Sequence, residues 1–285
     1  NARAQALRMK NNHLLGVLVP GFDSDQVRHM LEKTLENTEQ KGYQSIVMCY
    51  GGLTEHLISQ IRMLKSRGAD GLVLFLTTFD RTISEELNNR YVPSVTIGPS
   101  SFEDIAGIVH DDAAGFGMLA ELALQEGYRK IGTLFPPAFE TMTTIRKDAI
   151  ADVLKKNDVV IPEKWDISSE WKGLGHWTYS DIFAEKILAL DQLPEVFIAG
   201  SDRFAFRAID AMQNKGIRVP EDIAVAGFGN TEIGQFMTPQ LTTIDSNPAL
   251  LVEKALSLLF RQIEKDEKLC EHEMVAPLLI RRKSL

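Results

Sequence analysis

The chemistry-bearing residues of this 285-residue chain fall into a few groups, and most fail the spacing tests that chemistry imposes. His110-Asp111-Asp112 offers three metal-capable side chains, but consecutive residues do not converge on one ion. A strand end followed by a helix cap accounts for them, because Asp at a helix start accepts from orphan N–H groups. Gly227-Phe228-Gly229-Asn230 places two glycines after an apolar run but lacks the third glycine of a dinucleotide-binding loop. No Walker loop, HExxH or GxSxG stretch occurs. His13, His29, His56, His176 and His272 are scattered, with no nucleophile to pair with. The sequence therefore predicts no catalytic residue, no metal, no cofactor and no enzyme.

What remains is a set of polar residues placed just after apolar runs. Asp25 and Gln26 follow the run ending at Pro20, and Thr77 and Thr78 follow Gly71-Leu72-Val73-Leu74-Phe75-Leu76. Ser201 and Asp202 follow Phe197-Ile198-Ala199-Gly200, and Asn230 follows the run at 223–228. Trp171 and Trp177 lie in a polar, glycine-containing stretch. Bidentate polar side chains beside an aromatic face suit a sugar or another polyol. Each of these residues is equally suited to capping a helix or lining an exposed loop, and both readings stand at this point. Cys49, inside Ile46-Val47-Met48-Cys49-Tyr50, is expected to be a buried reduced thiol. With Cys270 far away there is no disulfide framework, which favours a reducing cytoplasm.

The elements that would position these residues alternate regularly. Leu14–Pro20, Ile46–Tyr50 and Gly71–Leu76 are apolar at nearly every position, as strands buried on both faces must be, and a further strand is read at Val92–Ile97. Between them, Val27, Met30, Leu31 and Leu35, then Leu57, Ile61 and Leu64, recur at helical spacing and stop at Gly42 and Gly68. The pattern restarts past Asp111, with strands at 130–135, 195–199 and 223–228 and helices near 116–126, 143–157, 178–190 and 202–215. Alternating βα units imply parallel sheets with right-handed crossovers. The expected fold is α/β, two doubly wound parallel-sheet lobes split near residue 111. A helix at 248–265 and short apolar runs at 274–276 and 278–280 come after both lobes are built. They predict crossings back between the lobes, a multi-strand hinge around a cleft. In such sheets ligands bind beyond the carboxyl ends of the strands, where the polar residues named above fall.

Bulk properties narrow the function. The formal charge of −8 argues against a nucleic-acid surface on this segment, since DNA binding needs clustered Lys and Arg. No apolar run approaches the ~20 residues that span a bilayer, so no membrane partner is expected.

Several stretches resemble the lactose/galactose-repressor family, in order along essentially the whole chain. Asn1–Leu7 before Leu15-Gly16-Val17-Leu18-Val19-Pro20 looks like the family's hinge helix and first strand, and Asp70–Leu74 like its third strand. Val109-His110-Asp111-Asp112 with Gly115 is similar to the V-x-x-D-N…G segment, with Asp in place of the usual Asn and a closer spacing. Gly127-Tyr128-Arg129-Lys130-Ile131 resembles G-H-R-x-I. The most specific likeness is Val219–Phe228 followed by Pro239-Gln240-Leu241-Thr242-Thr243-Ile244.

The resemblance implies a periplasmic-binding-protein-like fold of type I. Residues 1–11 would be the remnant of a hinge helix or linker. Residues 12–111 with 246–268 would form the amino-terminal lobe, and 112–245 with 269–285 the carboxy-terminal lobe. It also implies a cytoplasmic, homodimeric transcriptional repressor that touches operator DNA only through an amino-terminal helix-turn-helix absent from this sequence. A small effector would shift the population between two arrangements. The family's effector-binding Arg falls on Arg146, its packing aromatic on Trp171 and its acidic or amide residue on Asp202. Ala149 and Ile150 replace the Gly and aromatic that usually follow the Arg, so the local match is partial. Many relatives carry an acid after the Gly-Phe pair, where this chain has Gly229. Keeping Arg146 while losing that acid favours an anion, and 229–235 looks like the gluconate-controlling sub-branch. The expected ligand set is thus Asp25, Gln26, Thr77, Arg146, Trp171, Asp202 and Asn230, around a sugar or a gluconate-like sugar acid. The alternative is a periplasmic sugar-binding protein of a transporter. The basic stretch at residues 1–10, which resembles a hinge helix, speaks against it.

Overall fold

The structure, a computed structural model, describes residues 12–22, 24–77, 79–136, 141–168 and 176–285. The chain divides into two compact units: the first runs through His110 and takes in Asn247–Val275, and the second comprises Asp111–Ser246 and Ala276–Leu285. The chain therefore passes between units three times.

The first unit is a six-stranded sheet in the order β11-β5-β4-β3-β1-β2, with every neighbouring pair parallel. Its strands are β1 (Leu14–Val19), β2 (Gln44–Cys49), β3 (Gly71–Phe75), β4 (Ser94–Gly98), β5 (Ala106–His110) and β11 (His272–Val275). The helices are α1 (Asp25–Gln40), α2 (Thr54–Ser66), α3 (Arg81–Asn88) and α9 (Pro248–Lys265). Alternation along β1 explains why it had to be apolar throughout. Leu15, Val17 and Val19 pack with Val27 and Met30 of α1 and Leu251, Val252 and Ala255 of α9. Leu18 packs on the other face with Leu57, Ile61 and Leu64 of α2. Both faces are covered, so no position along the strand can be polar.

The second unit repeats this plan in the order β12-β10-β9-β8-β6-β7, all parallel except β10 with β12. Its strands are β6 (Ile131–Phe135), β7 (Asp166–Ser168), β8 (Val196–Ala199), β9 (Ala224–Phe228), β10 (Thr242–Asp245) and β12 (Leu278–Ile280). One face carries α4 (Asp112–Gln125) and α5 (Thr141–Lys155) through Phe116, Leu119, Ile150 and Leu154. The other carries α6 (His176–Leu188) and α7 (Asp202–Gln213) through Phe183, Phe204 and Ile209. A single-turn helix α8 (Ile233–Phe236) follows β9.

Two expectations change. Residues 269–275 belong to the first unit, whereas the sequence division put 269–285 in the second, because β11 pairs in register with β5. Cys49 is exposed, because it ends β2, which closes the sheet and has a neighbour on one side only. Its thiol donates to the Pro20 carbonyl at 3.7 Å. Among the described residues no helix is long and apolar enough to cross a membrane.

Candidate functional site

Each sheet reverses its winding once. In the first unit β1 lies between β2 and β3, and in the second β6 lies between β7 and β8. A doubly wound sheet opens a crevice at the carboxyl ends of such strands, because successive connections leave toward opposite faces. The candidate residues come from these positions and from the strands beside them.

In the first unit Ser24 caps α1, its hydroxyl accepting from Val27 N–H at 3.4 Å. Asp25 opens the helix and pairs with Arg28 one turn on. Gln26 is next, and its Nε2 is buried with no partner among the described residues. A buried amide donor left unmade costs about 1–3 kcal/mol, so this position is ready for an acceptor. Thr77, past the end of β3, is exposed.

The second unit holds a denser arrangement around Arg146 on α5. The Nε of Arg146 donates to Asp112 Oδ2 at 2.6 Å and Nη1 donates to the Gly200 carbonyl at 3.1 Å. The side chains of Arg146 and Asp112 are 12% and 1% exposed, so this is a buried ion pair. The guanidinium lies 4.9 Å from the ring centre of Phe228 and 5.3 Å from that of Phe116. Those two rings stack 5.0 Å apart at an angle of 3°. Local sequence produces this geometry in steps. Asp111 caps α4, accepting from Ala114 N–H at 2.9 Å, so Asp112 falls in the first turn, at the edge reached by α5. Gly115 lets α4 sit close on the sheet, since a Cβ there would meet Ile244 Cγ2 at 3.0 Å and Phe228 at 3.2 Å.

Asp202 and Asn230 lie farther along the same edge, and their polar groups are engaged within the protein. Asp202 is 1% exposed. Its carboxylate accepts from Thr231 N–H at 2.8 Å, from the Thr231 hydroxyl at 3.1 Å and from the Thr243 hydroxyl. Burial pushes this carboxyl up to about 6, against the opposing pull of the Thr243 and Thr231 donors and of Arg282. Asn230, in the left-handed region at φ 45°, donates through Nδ2 to Asp245 Oδ2 at 2.8 Å. Its Oδ1 accepts from Arg282 Nη2 at 2.6 Å. Trp171 lies outside the described residues.

The structure thus brings Arg146, Asp202 and Asn230 to one sheet edge, and Asp25, Gln26 and Thr77 to the edge of the other sheet. It adds Asp112, Phe116, Phe228, Asp245 and Arg282, which the sequence did not single out as site residues. Nothing in the sequence signalled the Asp112 pairing, because α4 opens the second unit directly after β5 of the first, and Asp112 meets Arg146 only through the packing of α4 beside α5. The pairing also corrects the premise that Arg146 meets no acid there, because Asp112 supplies the counter-charge that Gly229 cannot. Among the described residues no group of His, Cys, Asp and Glu could hold a metal ion.

Similarities to known proteins agree with this architecture. The Escherichia coli (strain K12) ribose operon repressor is 23% identical over 287 residues, covering 100% of this chain and 86% of the relative. The transcriptional repressor PurR of Mannheimia succiniciproducens is 26% identical over 289 residues, covering 100% of this chain and 85% of the relative. Among solved structures, the Lac repressor dimer bound to operator and the anti-inducer ONPF superposes with a TM-score of 0.85 at 21% identity. That match covers 100% of this chain and 98% of the repressor chain. The family of periplasmic binding protein-like domains matches residues 120–285, more than half of the sequence. With two doubly wound units and that match, the chain belongs to the periplasmic binding protein-like domain family.

Proposed function

We propose that this chain is the effector-sensing and dimerising core of a transcriptional repressor, binding a small sugar or sugar acid at the carboxyl edges of its sheets. The likeness of this whole chain to the ribose operon repressor and to a PurR transcriptional repressor supports the regulatory role. The single observation carrying the ligand class is the buried Arg146–Asp112 pair over two stacked phenylalanines. Side by side, it offers a donor fork and an acceptor, and a sugar hydroxyl both donates and accepts. Asp25, Gln26, Thr77, Trp171, Asp202 and Asn230 complete the proposed contact set, with Asp202 and Asn230 acting through the turn they hold. Among the acids a gluconate-like effector is proposed on the sequence likeness of residues 229–235 alone, since Asp112 already neutralises Arg146. Effector binding would shift the population between operator-competent and operator-incompetent arrangements. Ile233 and Phe236 of α8 are 60% and 78% exposed, apolar surface of the kind that a subunit interface covers.

A thermal-shift screen of neutral sugars, sugar acids and sugar phosphates, followed by calorimetry, tests this reading, because ligands of the native state raise its apparent stability. Gluconate is expected to bind and to lose affinity in Arg146→Met. Tight binding of a neutral hexose with none of gluconate refutes the sugar-acid preference. Silence across all polyols refutes the ligand class.

A further inference from the structure

We propose that β2 is an open edge that pairs antiparallel with the β2 of a second copy of this chain, joining two first-unit sheets across a two-fold axis at Val47. The inference rests on the dimeric reading above, and adds to it a surface and a register. Of the four edges of the two sheets, β2 is the longest, six residues from Gln44 to Cys49 with no charge and no proline. The other three carry features that discourage a further strand. β11 bears His272 and Glu273, and Glu273 is paired with Lys254. β7 has three residues and starts at Asp166. β12 also has three, set between Pro277 and Arg281.

The register follows from which backbone groups face outward. Gln44 N–H donates to the His13 carbonyl at 2.8 Å and Tyr50 N–H to the Val19 carbonyl at 3.0 Å, so the even-numbered residues face β1. Alternation along the strand turns the backbone groups of Ser45, Val47 and Cys49 the other way. Among the described residues no acceptor meets the N–H groups of these three, and of their carbonyls only that of Cys49 is engaged, by Gln60 Nε2 at 2.8 Å. In an antiparallel pair the hydrogen-bonded partners are residues that both face outward. The register that uses all three sets Val47 opposite its own copy and Ser45 opposite Cys49. Gly42 at φ 78° and Gly51 at φ 64° turn the chain out of the strand at either end, which limits the ladder to this stretch.

A second copy is the occupant that this edge suits. About a two-fold axis a strand meets its own residues, so charges near the axis fall opposite their own kind and repel. Gln44–Cys49 brings no charge to that axis. The strand is also held ready for pairing. Val47 packs into the core beneath α1, and Ile46 and Met48 pack on the opposite face beside α2. A partner strand therefore meets an extended backbone already fixed in place, which lowers the ordering cost of association. Ile46, Val47 and Met48 are only half-buried, whereas the interior strand β3 is buried throughout, so pairing would cover the flank that the sheet leaves open.

The experiment combines sedimentation with amide hydrogen exchange of the wild-type chain across a dilution series. The Val47 amide is expected to be protected while the chain is dimeric and to exchange freely once dilution separates the copies. Val47→Pro removes an outward N–H without touching a bond to β1, a placement that proline tolerates at an edge, so the variant should fold. Its dimer should be weaker by about tenfold or more, since one donor is lost from each copy. In a Cys49→Ser, Cys270→Ser background, Val47→Cys should oxidise to a covalent dimer. Hydrogen-bonded partners have Cα atoms about 5.5 Å apart, within the reach of a disulfide, whereas Ile46→Cys in the same background should stay free. A dimer whose Val47 amide exchanges freely, or a Val47 amide still protected in the monomer, overturns the pairing and leaves the dimeric reading standing. A chain that is monomeric at every concentration overturns both. Should Val47→Pro fail to fold, the exchange of the wild-type chain and the cross-link decide.

Discussion

Replacing Asp112 with alanine leaves a guanidinium only 12% exposed without its counter-charge. The lost partner sits 2.6 Å from Arg146 Nε, and the phenylalanine faces and the Gly200 carbonyl cannot neutralise a full charge. Breaking a buried pair in this way costs about 3–5 kcal/mol, mostly the penalty of the charge left behind. For a unit of this size that corresponds to a fall in Tm of roughly 6–20 °C. The double variant Asp112→Ala with Arg146→Met removes both charges and leaves an apolar side chain near the two rings. It should recover at least half of the loss, because replacing both partners with apolar groups is often neutral. All three tryptophans fall within the sequence of the second unit, so urea unfolding followed by tryptophan fluorescence reports on that unit. The coupling energy from the four-protein cycle is expected to exceed about 2 kcal/mol. A loss below about 1 kcal/mol in Asp112→Ala, or simple additivity in the double variant, would refute the claim that the pair is buried and coupled.

Three further outcomes follow from the same structure. Ser284, fully buried, donates to the Val225 carbonyl at 2.6 Å and accepts from Thr242 N–H at 2.9 Å. Ser284→Ala should therefore destabilise by about 1–3 kcal/mol in chemical denaturation, and an unchanged midpoint would show that the carboxy-terminal segment is not docked. The folded value of Asp202, about 6, lies above the ordinary 3.8, so between those values the folded chain keeps a proton that the unfolded chain has lost. Stability is thus expected to fall as pH rises through that window, by up to about 3 kcal/mol, and Asp202→Asn should flatten the slope; a parallel profile in the variant would exclude Asp202 as its source. Gly115→Ala places a methyl 3.0 Å from Ile244 and 3.2 Å from Phe228. It should cost about 1–3 kcal/mol and weaken effector binding by displacing the Phe228 face from Arg146; full stability would mean that α4 can shift without strain.

Much of the fold was legible because a doubly wound sheet leaves a strong local trace. Strands covered on both faces must be apolar without alternation, as in Leu14–Val19 and Gly71–Phe75, and the helices between them show a single buried stripe. The shortest elements left no such trace. The three residues of β7 and the single turn of α8 carry too little pattern to register. β11 could not be assigned to its sheet, because its partner β5 is more than 150 residues away.

The placement of the site was also readable by rule, since polar residues directly after apolar strands fall at the carboxyl edge. By itself the sequence determined the fold class, the edge where Asp25, Gln26, Thr77, Asp202 and Asn230 would lie, and the absence of a catalytic motif, whereas Arg146 was named only through the family resemblance. Only the tertiary structure decided what those side chains do there. Residue types give the number of donors and acceptors, but the partner of each is chosen by packing between segments distant in sequence. Thus Asp112 meets Arg146 across 34 positions, and Thr231 meets Asp202 across 29. That is why an Asp read as a helix cap became half of a buried ion pair, and an Asp read as a ligand contact became the anchor of a turn.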